Sequence, residues 1–134
     1  MLALGTLPIL ETAFNLATVF RLYELSDMNR PILKEMLARA PGTYNHSNLV
    51  ALLSETAAES VGGNAVLCRV GAAYHDIGKI DNPEYFIENQ KGPSRHTALK
   101  STLSNSVIQS HVRAGVEKGR RLRLPPEVVD IIGQ

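Results

Sequence analysis

Apolar residues recur at three- and four-residue intervals along nearly the whole chain and nowhere alternate. A helix can bury that pattern on one face and a strand cannot, so it predicts an all-α domain. From Pro8 to Leu25 the residues Leu10, Ala13, Phe14, Leu16, Ala17, Phe20, Leu22 and Leu25 form one amphipathic stretch with a break near Thr18. After a Ser26-Asp27 cap, Pro31 opens a short helix through Ile32, Leu33, Met36 and Leu37, which Pro41-Gly42 closes. Thr43 caps the next helix, from about Tyr44 to Val61, with Leu49, Val50, Leu53, Ala57 and Val61 on its apolar face. Asn64, after the Gly62-Gly63 turn, caps a helix whose apolar Val66, Leu67, Val70 and Ala73 lead into Tyr74-His75-Asp76-Ile77-Gly78-Lys79. Gly78 stands where that helix would end in a left-handed residue. Ile80 to Thr97 reads as a long loop or lid with one turn of helix at Tyr85-Phe86-Ile87. A further helix spans Ser101 to Arg121, and Pro125-Pro126-Glu127 begins a last one.

A chain of 134 residues makes one domain. With 14 Lys and Arg against 13 Asp and Glu, its net charge of +1 gives no broad electrostatic case for DNA or RNA as a partner. The local excess at Lys118, Arg120, Arg121 and Arg123 reads as a solvated helix end. Cys68, the one cysteine, excludes an internal disulfide and reads as a packing residue. The opening Met1 to Leu10 is apolar but lacks the basic start of a signal peptide. Glu11 ends it too soon for a membrane span of about 20 residues.

Three histidines stand out against this helical frame. His46 precedes Leu49, Val50 and Leu53 by three, four and seven residues, and His111 shares a face with Val107, Ile108, Val112 and Gly115. Both are therefore expected to point inward. His75 stands at a helix end beside Asp76, with Cys68, Gly71 and Ala72 one and two turns earlier, small enough to admit another helix. A single inward histidine can be an ordinary core residue, satisfied by a hydrogen bond. Three beside a carboxylate favour a metal centre of His46, His75, Asp76 and His111, in which Asp76 can reach two ions with its two oxygens. Imidazole and carboxylate suit Fe, Mn, Co, Ni or Zn, so the donors alone do not choose the metal. Neither a zinc-finger spacing nor a His-Glu-x-x-His pair occurs. Lys79 is placed to meet a substrate phosphate, and His96 reads as a surface or outer residue.

The order His46, His75-Asp76, His111 resembles the HD-domain superfamily of metal-dependent phosphohydrolases. More narrowly, four segments resemble the cytoplasmic HD domain of the seven-transmembrane HD receptors, the PgpH-type cyclic di-AMP phosphodiesterases. These are Pro41-Gly42-Thr43-Tyr44-Asn45-His46-Ser47, Tyr74-His75-Asp76-Ile77-Gly78-Lys79, Phe86-Ile87-Glu88-Asn89-Gln90 and Ser110-His111-Val112. Leu22-Tyr23-Glu24-Leu25-Ser26-Asp27 and Asn29-Arg30-Pro31 resemble the lead-in to that domain. The resemblance implies an HD-domain helical bundle, with lead-in helices over 1–40 and a partial HD core over 41–134. It implies two divalent transition-metal ions, Fe or Mn, held by His46, His75, Asp76 and His111. Asp76 and Lys79 would be catalytic, and the Glu88-Asn89-Gln90 loop would border the base pocket.

The family continues beyond the final Ile-Ile-x-Gln with two histidines and an aspartate that also bind metal. The resemblance therefore implies a C-terminally truncated piece that holds one ion or none and has little activity. Its parent would be a membrane protein with this domain on the cytoplasmic side, a possible homodimer. Asn45 stands where the family often has another histidine. Other HD nucleotide phosphohydrolases and a non-catalytic nucleotide-sensing domain remain as alternatives. The cyclic di-GMP relatives carry a Gly-Tyr-Pro motif that this sequence lacks.

Overall fold

The computed structural model describes residues 5–6, 9–10, 13, 18–92 and 101–134. Among the described residues six helices have defined bounds: α1 (Val19–Leu25), α2 (Pro31–Arg39), α3 (Pro41–Ser60), α4 (Ala65–Tyr74), α5 (Ser101–Arg121) and α6 (Pro126–Ile132). No strand occurs among the described residues. The expected all-α architecture is thus what forms. Between α4 and α5 the chain makes three short 3₁₀ turns, Ile77–Asp81, Pro83–Tyr85 and Ile87–Asn89, where the sequence suggested a loop with one helical turn. Phe14, Leu16 and Ala17 of the first amphipathic stretch, and the part of the lid from Pro93 on with His96, lie outside the described residues. Among the described residues no helix is long and apolar enough to cross a membrane.

Local chemistry accounts for most helix starts. The Thr18 hydroxyl accepts a hydrogen bond from the Arg21 backbone N–H at 3.2 Å, which explains the break expected there. Asn64 caps α4 through its side-chain oxygen, 3.0 Å from the Leu67 nitrogen. Pro41, however, does not close α2. It opens α3, where its missing N–H costs nothing, and a single residue, Ala40, separates the two helices. Thr43 consequently lies inside the first turn of α3 and is no cap.

The phase of α3 also differs from the expected one. Thr43, Ser47, Ala51 and Ala58 are buried, whereas Leu49, Leu53 and Val61 are 57%, 60% and 81% exposed. The reason is distance between helices. α3 lies along α4 with the small residues Ser47, Ala51 and Ala58 buried, and two helices that meet on small side chains approach more closely than two that meet on leucines. His46, expected inward, rides on the exposed side with the leucines.

The core is built from Leu22, Leu25, Leu33, Met36, Val70, Tyr74, Ile77, Ile80, Leu124, Val128 and Ile132. At its centre Tyr74 is fully buried and donates its hydroxyl hydrogen to the Leu25 carbonyl at 3.0 Å, joining α4 to the end of α1. Burial pushes the Tyr74 pKa up to about 12. Because the folded value lies above the unfolded one, this contribution is complete below pH 10 and is lost as pH rises from there through about 12. Tyr74→Phe should lower the unfolding free energy by about 1 kcal/mol at neutral pH. It should also weaken the fall in stability above pH 10, both read by denaturant titration.

Two packing contacts fix α5 and α6. Gly71 of α4 faces Ile131, and Gly115 and Gly119 of α5 face Ile132, so α6 sits against both. Lys118 pairs with Asp81 at 2.7 Å and ties α5 to the first 3₁₀ turn; this one member of the basic cluster is not merely solvated.

Candidate metal centre

α4 ends at Tyr74, and the next two residues leave the helix axis with their side chains at the surface of the core. His75 still has helical dihedrals, while Asp76 has φ −107° and ψ 15° and starts the 3₁₀ turn. Gly78, read from sequence as a left-handed terminator, does not have positive φ; among the described glycines Gly62 alone does. Its role is close approach. A β-carbon on Gly78 would overlap the His111 carbonyl oxygen, so only glycine lets the turn press against α5 at this point.

That contact brings His111 to Asp76. The His75 Nδ1 lies 2.7 Å from the Ala72 carbonyl oxygen, and the His111 Nδ1 bonds in the same way to the Ile108 carbonyl. When each ring donates its Nδ1–H to its own helix, the Nε2 lone pair is left facing outward. The His75 Nε2 then stands 3.2 Å from one oxygen of Asp76, and the His111 Nε2 stands 3.6 Å from the other. Lone pair against carboxylate is repulsive unless a proton or a metal cation lies between them. The donor set therefore fits a cation, with Asp76 offering one oxygen to each histidine. His46 completes the group. Its nitrogen, that of His75 and an oxygen of Asp76 lie within 4.8 Å of one another, and the two rings are 5.7 Å apart. The structure thus gathers His46, His75 and Asp76 and sets His111 against the other oxygen of Asp76, with His46 arriving from the exposed side of α3.

Electrostatics agree with this geometry. Burial raises the Asp76 pKa, but hydrogen bonds and charge from His75 and Lys79 outweigh it and hold the carboxyl at about 2. Burial disfavours the charged His75, and Asp76 more than compensates, so its pKa stands above the ordinary imidazole value. Lys79 is not free to solvent. Its ammonium lies 2.8 Å from Asp76 Oδ2, 2.8 Å from Glu88 Oε1 and 4.9 Å from the centre of the Phe86 ring. Phe86 in turn meets the edge of His111, with ring centres 5.3 Å apart.

Glu88 is the residue that helix periodicity passed over. It lies in a 3₁₀ turn, accepts from the Thr43 hydroxyl at 3.1 Å, and is flanked by Asn89, whose amide exchanges two hydrogen bonds with Thr43 at 3.0 and 2.8 Å. The only signal for it in the sequence was the Phe86-Ile87-Glu88-Asn89-Gln90 motif itself. A small cleft of about 100 Å³ opens beside His111, lined by Gly78, Asn82, Phe86, Val107 and Ala114 among others.

The HD domain family model matches residues 43–134, from the first turn of α3 to the last residue, and so takes in all of this group. The chain belongs to the HD domain family. Over 135 aligned residues this HD domain is 47% identical to the cyclic-di-AMP phosphodiesterase PgpH of Bacillus subtilis, with 100% of the chain covered and 19% of the relative. It is 45% identical over 132 residues to the cyclic-di-AMP phosphodiesterase PgpH of Listeria monocytogenes, with 98% of the chain and 18% of the relative covered. The crystal structure of the L. monocytogenes phosphodiesterase PgpH HD domain in complex with cyclic-di-AMP superposes with a TM-score of 0.76 at 45% identity. That match covers 79% of this chain and 50% of that one. The HD domain described here therefore spans under a fifth of the length of these curated relatives and half of the solved domain. The helical HD fold expected from the resemblance is the one observed.

Proposed function

We propose that this HD domain belongs to a metal-dependent phosphodiesterase that hydrolyses cyclic di-AMP to the linear dinucleotide. The observation that carries the reading is the Asp76 carboxylate, met on its two oxygens by the Nε2 atoms of His75 and His111. It stands in a chain 47% identical to a cyclic-di-AMP phosphodiesterase. His46, His75, Asp76 and His111 would hold divalent transition metal, Fe or Mn. Such ions supply Lewis acidity, lowering the pKa of water and drawing charge from a phosphate. The protein's part is to hold the donors still. The carbonyls of Ala72 and Ile108 fix both imidazoles with Nε2 outward, and against the effect of burial the hydrogen bonds and charge from His75 and Lys79 keep Asp76 ionised. An ammonium has three donors, and two of those on Lys79 face Asp76 and Glu88. In this reading the third would go to a substrate phosphate.

Residues 1–40 serve in this reading as the lead-in from a membrane-embedded region, with the HD core over 41–134 on the cytoplasmic side. In this reading the remaining ligands of a two-ion centre would be sought in the half of the solved domain that this chain does not cover. The chain alone should take up about one Mn²⁺ and turn over cyclic di-AMP slowly. A chain extended to the length of the solved domain should take up two and release linear dinucleotide, measured by metal analysis and chromatography of the products. Cyclic di-AMP bound by the metal-loaded longer chain but never cleaved would instead establish a sensing domain.

Proton competition gives a second check. A ligand imidazole must be deprotonated at Nε2, and Asp76 holds the His75 pKa above 6.5 in the metal-free site. Mn²⁺ affinity should therefore be full at pH 8 and begin to fall while pH is still above 6.5, by about tenfold per unit for each proton displaced. Calorimetric titrations of Mn²⁺ from pH 8 to 6 read the slope.

A further inference from the structure

We infer that Glu88 is a positioning residue that keeps the Lys79 ammonium docked at the rim of the metal centre. Lys79 there holds the place of a cation on Asp76 Oδ2 and is retained by Glu88 when a metal ion takes that oxygen. The inference rests on the metal reading above and gives a task to Glu88, which that reading leaves without one.

Two cations have a claim on one oxygen. Asp76 Oδ2 is 3.2 Å from the His75 Nε2, where a metal ion would have to sit between them, and 2.8 Å from the Lys79 ammonium. A bound ion would repel that ammonium and compete with it for the same lone pairs. Lys79 cannot simply swing away, because its side chain is only 14% exposed, and an ammonium stranded in such a place needs an anion or hydrogen-bond acceptor. Glu88 is the acceptor that remains, at 2.8 Å, with the Phe86 ring below.

Glu88 is also built to stay where it is. The Thr43 hydroxyl donates to it, the Thr43–Asn89 pair locks the turn to α3, and a β-carbon on Gly42 would overlap the Glu88 carbonyl oxygen. The 3₁₀ turn is thus strapped to the helix that carries His46. A long, mobile carboxylate would follow the lysine; this one holds it. Consistent with the arrangement, the Lys79 pKa is raised by its two carboxylates against the opposing effect of burial, and that of Glu88 is lowered by Lys79 and Thr43 against the same effect.

The two partners should then act on metal affinity in opposite directions. In Glu88→Gln the ammonium has Asp76 as its sole carboxylate and competes harder, so Mn²⁺ binding should weaken by about tenfold or more, in the range of changes to groups that support ligands. Lys79→Met removes the competitor and should tighten Mn²⁺ severalfold. In the double variant the Glu88→Gln effect should shrink to under about twofold, because there is no lysine left to hold. Glu88→Asp, which keeps the charge and gives up the reach, should weaken binding as Glu88→Gln does.

The test is a calorimetric Mn²⁺ titration of wild type, the three single variants and the double variant, each checked for an unchanged helical spectrum. An equal Glu88→Gln effect with and without Lys79, or none at all, overturns the inference while leaving the metal reading intact. A Glu88→Asp variant that binds like wild type reduces Glu88 to a distant charge and overturns it as well. If the wild-type chain takes up no Mn²⁺, the metal reading falls and this inference with it.

Discussion

Gly78→Ala is expected to destabilise the domain by about 3 kcal/mol, the upper end of what overpacking costs. The added methyl would overlap the His111 carbonyl oxygen and lie 2.6 Å from the Gly115 backbone nitrogen. Both obstacles are main chain of α5, which cannot rotate out of the way. Gly71→Ala is the control, since the methyl there meets the tip of Ile131, a side chain that can change rotamer, and about 1 kcal/mol should suffice. Denaturant titration of the two variants reads the difference. Mn²⁺ affinity should fall with Gly78→Ala even where the protein is still folded, because α5 can yield only by moving His111 away from Asp76. Similar melting curves for the two variants would mean that the turn and α5 are not in the close contact described.

Asp76→Asn should weaken Mn²⁺ binding by at least about 100-fold, more than the loss of a supporting group costs. The side chain keeps its size, and the domain should remain folded because Lys79 retains Glu88 as a partner. What disappears is charge. Asp76 is the carboxylate at which His75, His111 and Lys79 converge, and an amide offers one neutral oxygen in its place. Calorimetry with Mn²⁺, set beside a thermal melt, separates loss of the ion from loss of the fold. Retained affinity would mean that the histidines bind metal without the aspartate and would remove it from the bridging role.

Much of this architecture was legible in the residues. Asn64 announced a helix start because capping is local chemistry, settled within four residues of chain, and the break expected near Thr18 is another such cap. His75 and Asp76 were expected at a helix end because Gly78 follows them, although Gly78 acts by close approach to α5 and not through a left-handed turn. What periodicity could not supply was a ranking of faces. On α3 it favoured Leu49, Leu53 and Val61, the large apolar residues, whereas the helix turns the small Thr43, Ser47 and Ala51 inward. Pro41 was misread as a stop, since a proline serves equally well after one helix and at the head of the next. The Lys79–Glu88–Thr43 chain was out of reach for a different reason. Its members are 9 and 45 residues apart in sequence, and only the folded backbone reveals that they meet.

Tyr74, His75 and Asp76 are consecutive, and their neighbourhood changes from the centre of the core to its surface within three residues. Tyr74 is clamped on both sides, by apolar contacts and by the Leu25 carbonyl. The imidazole and carboxylate that follow inherit a backbone with almost no freedom left to lose. Most of the ordering entropy of a capture site on this segment is spent during folding, before any ion arrives. His46, on an exposed helix face, is the donor whose rotamer is left to settle at the moment of capture. Ion uptake here should accordingly resemble the closing of one hinged arm over a fixed pair.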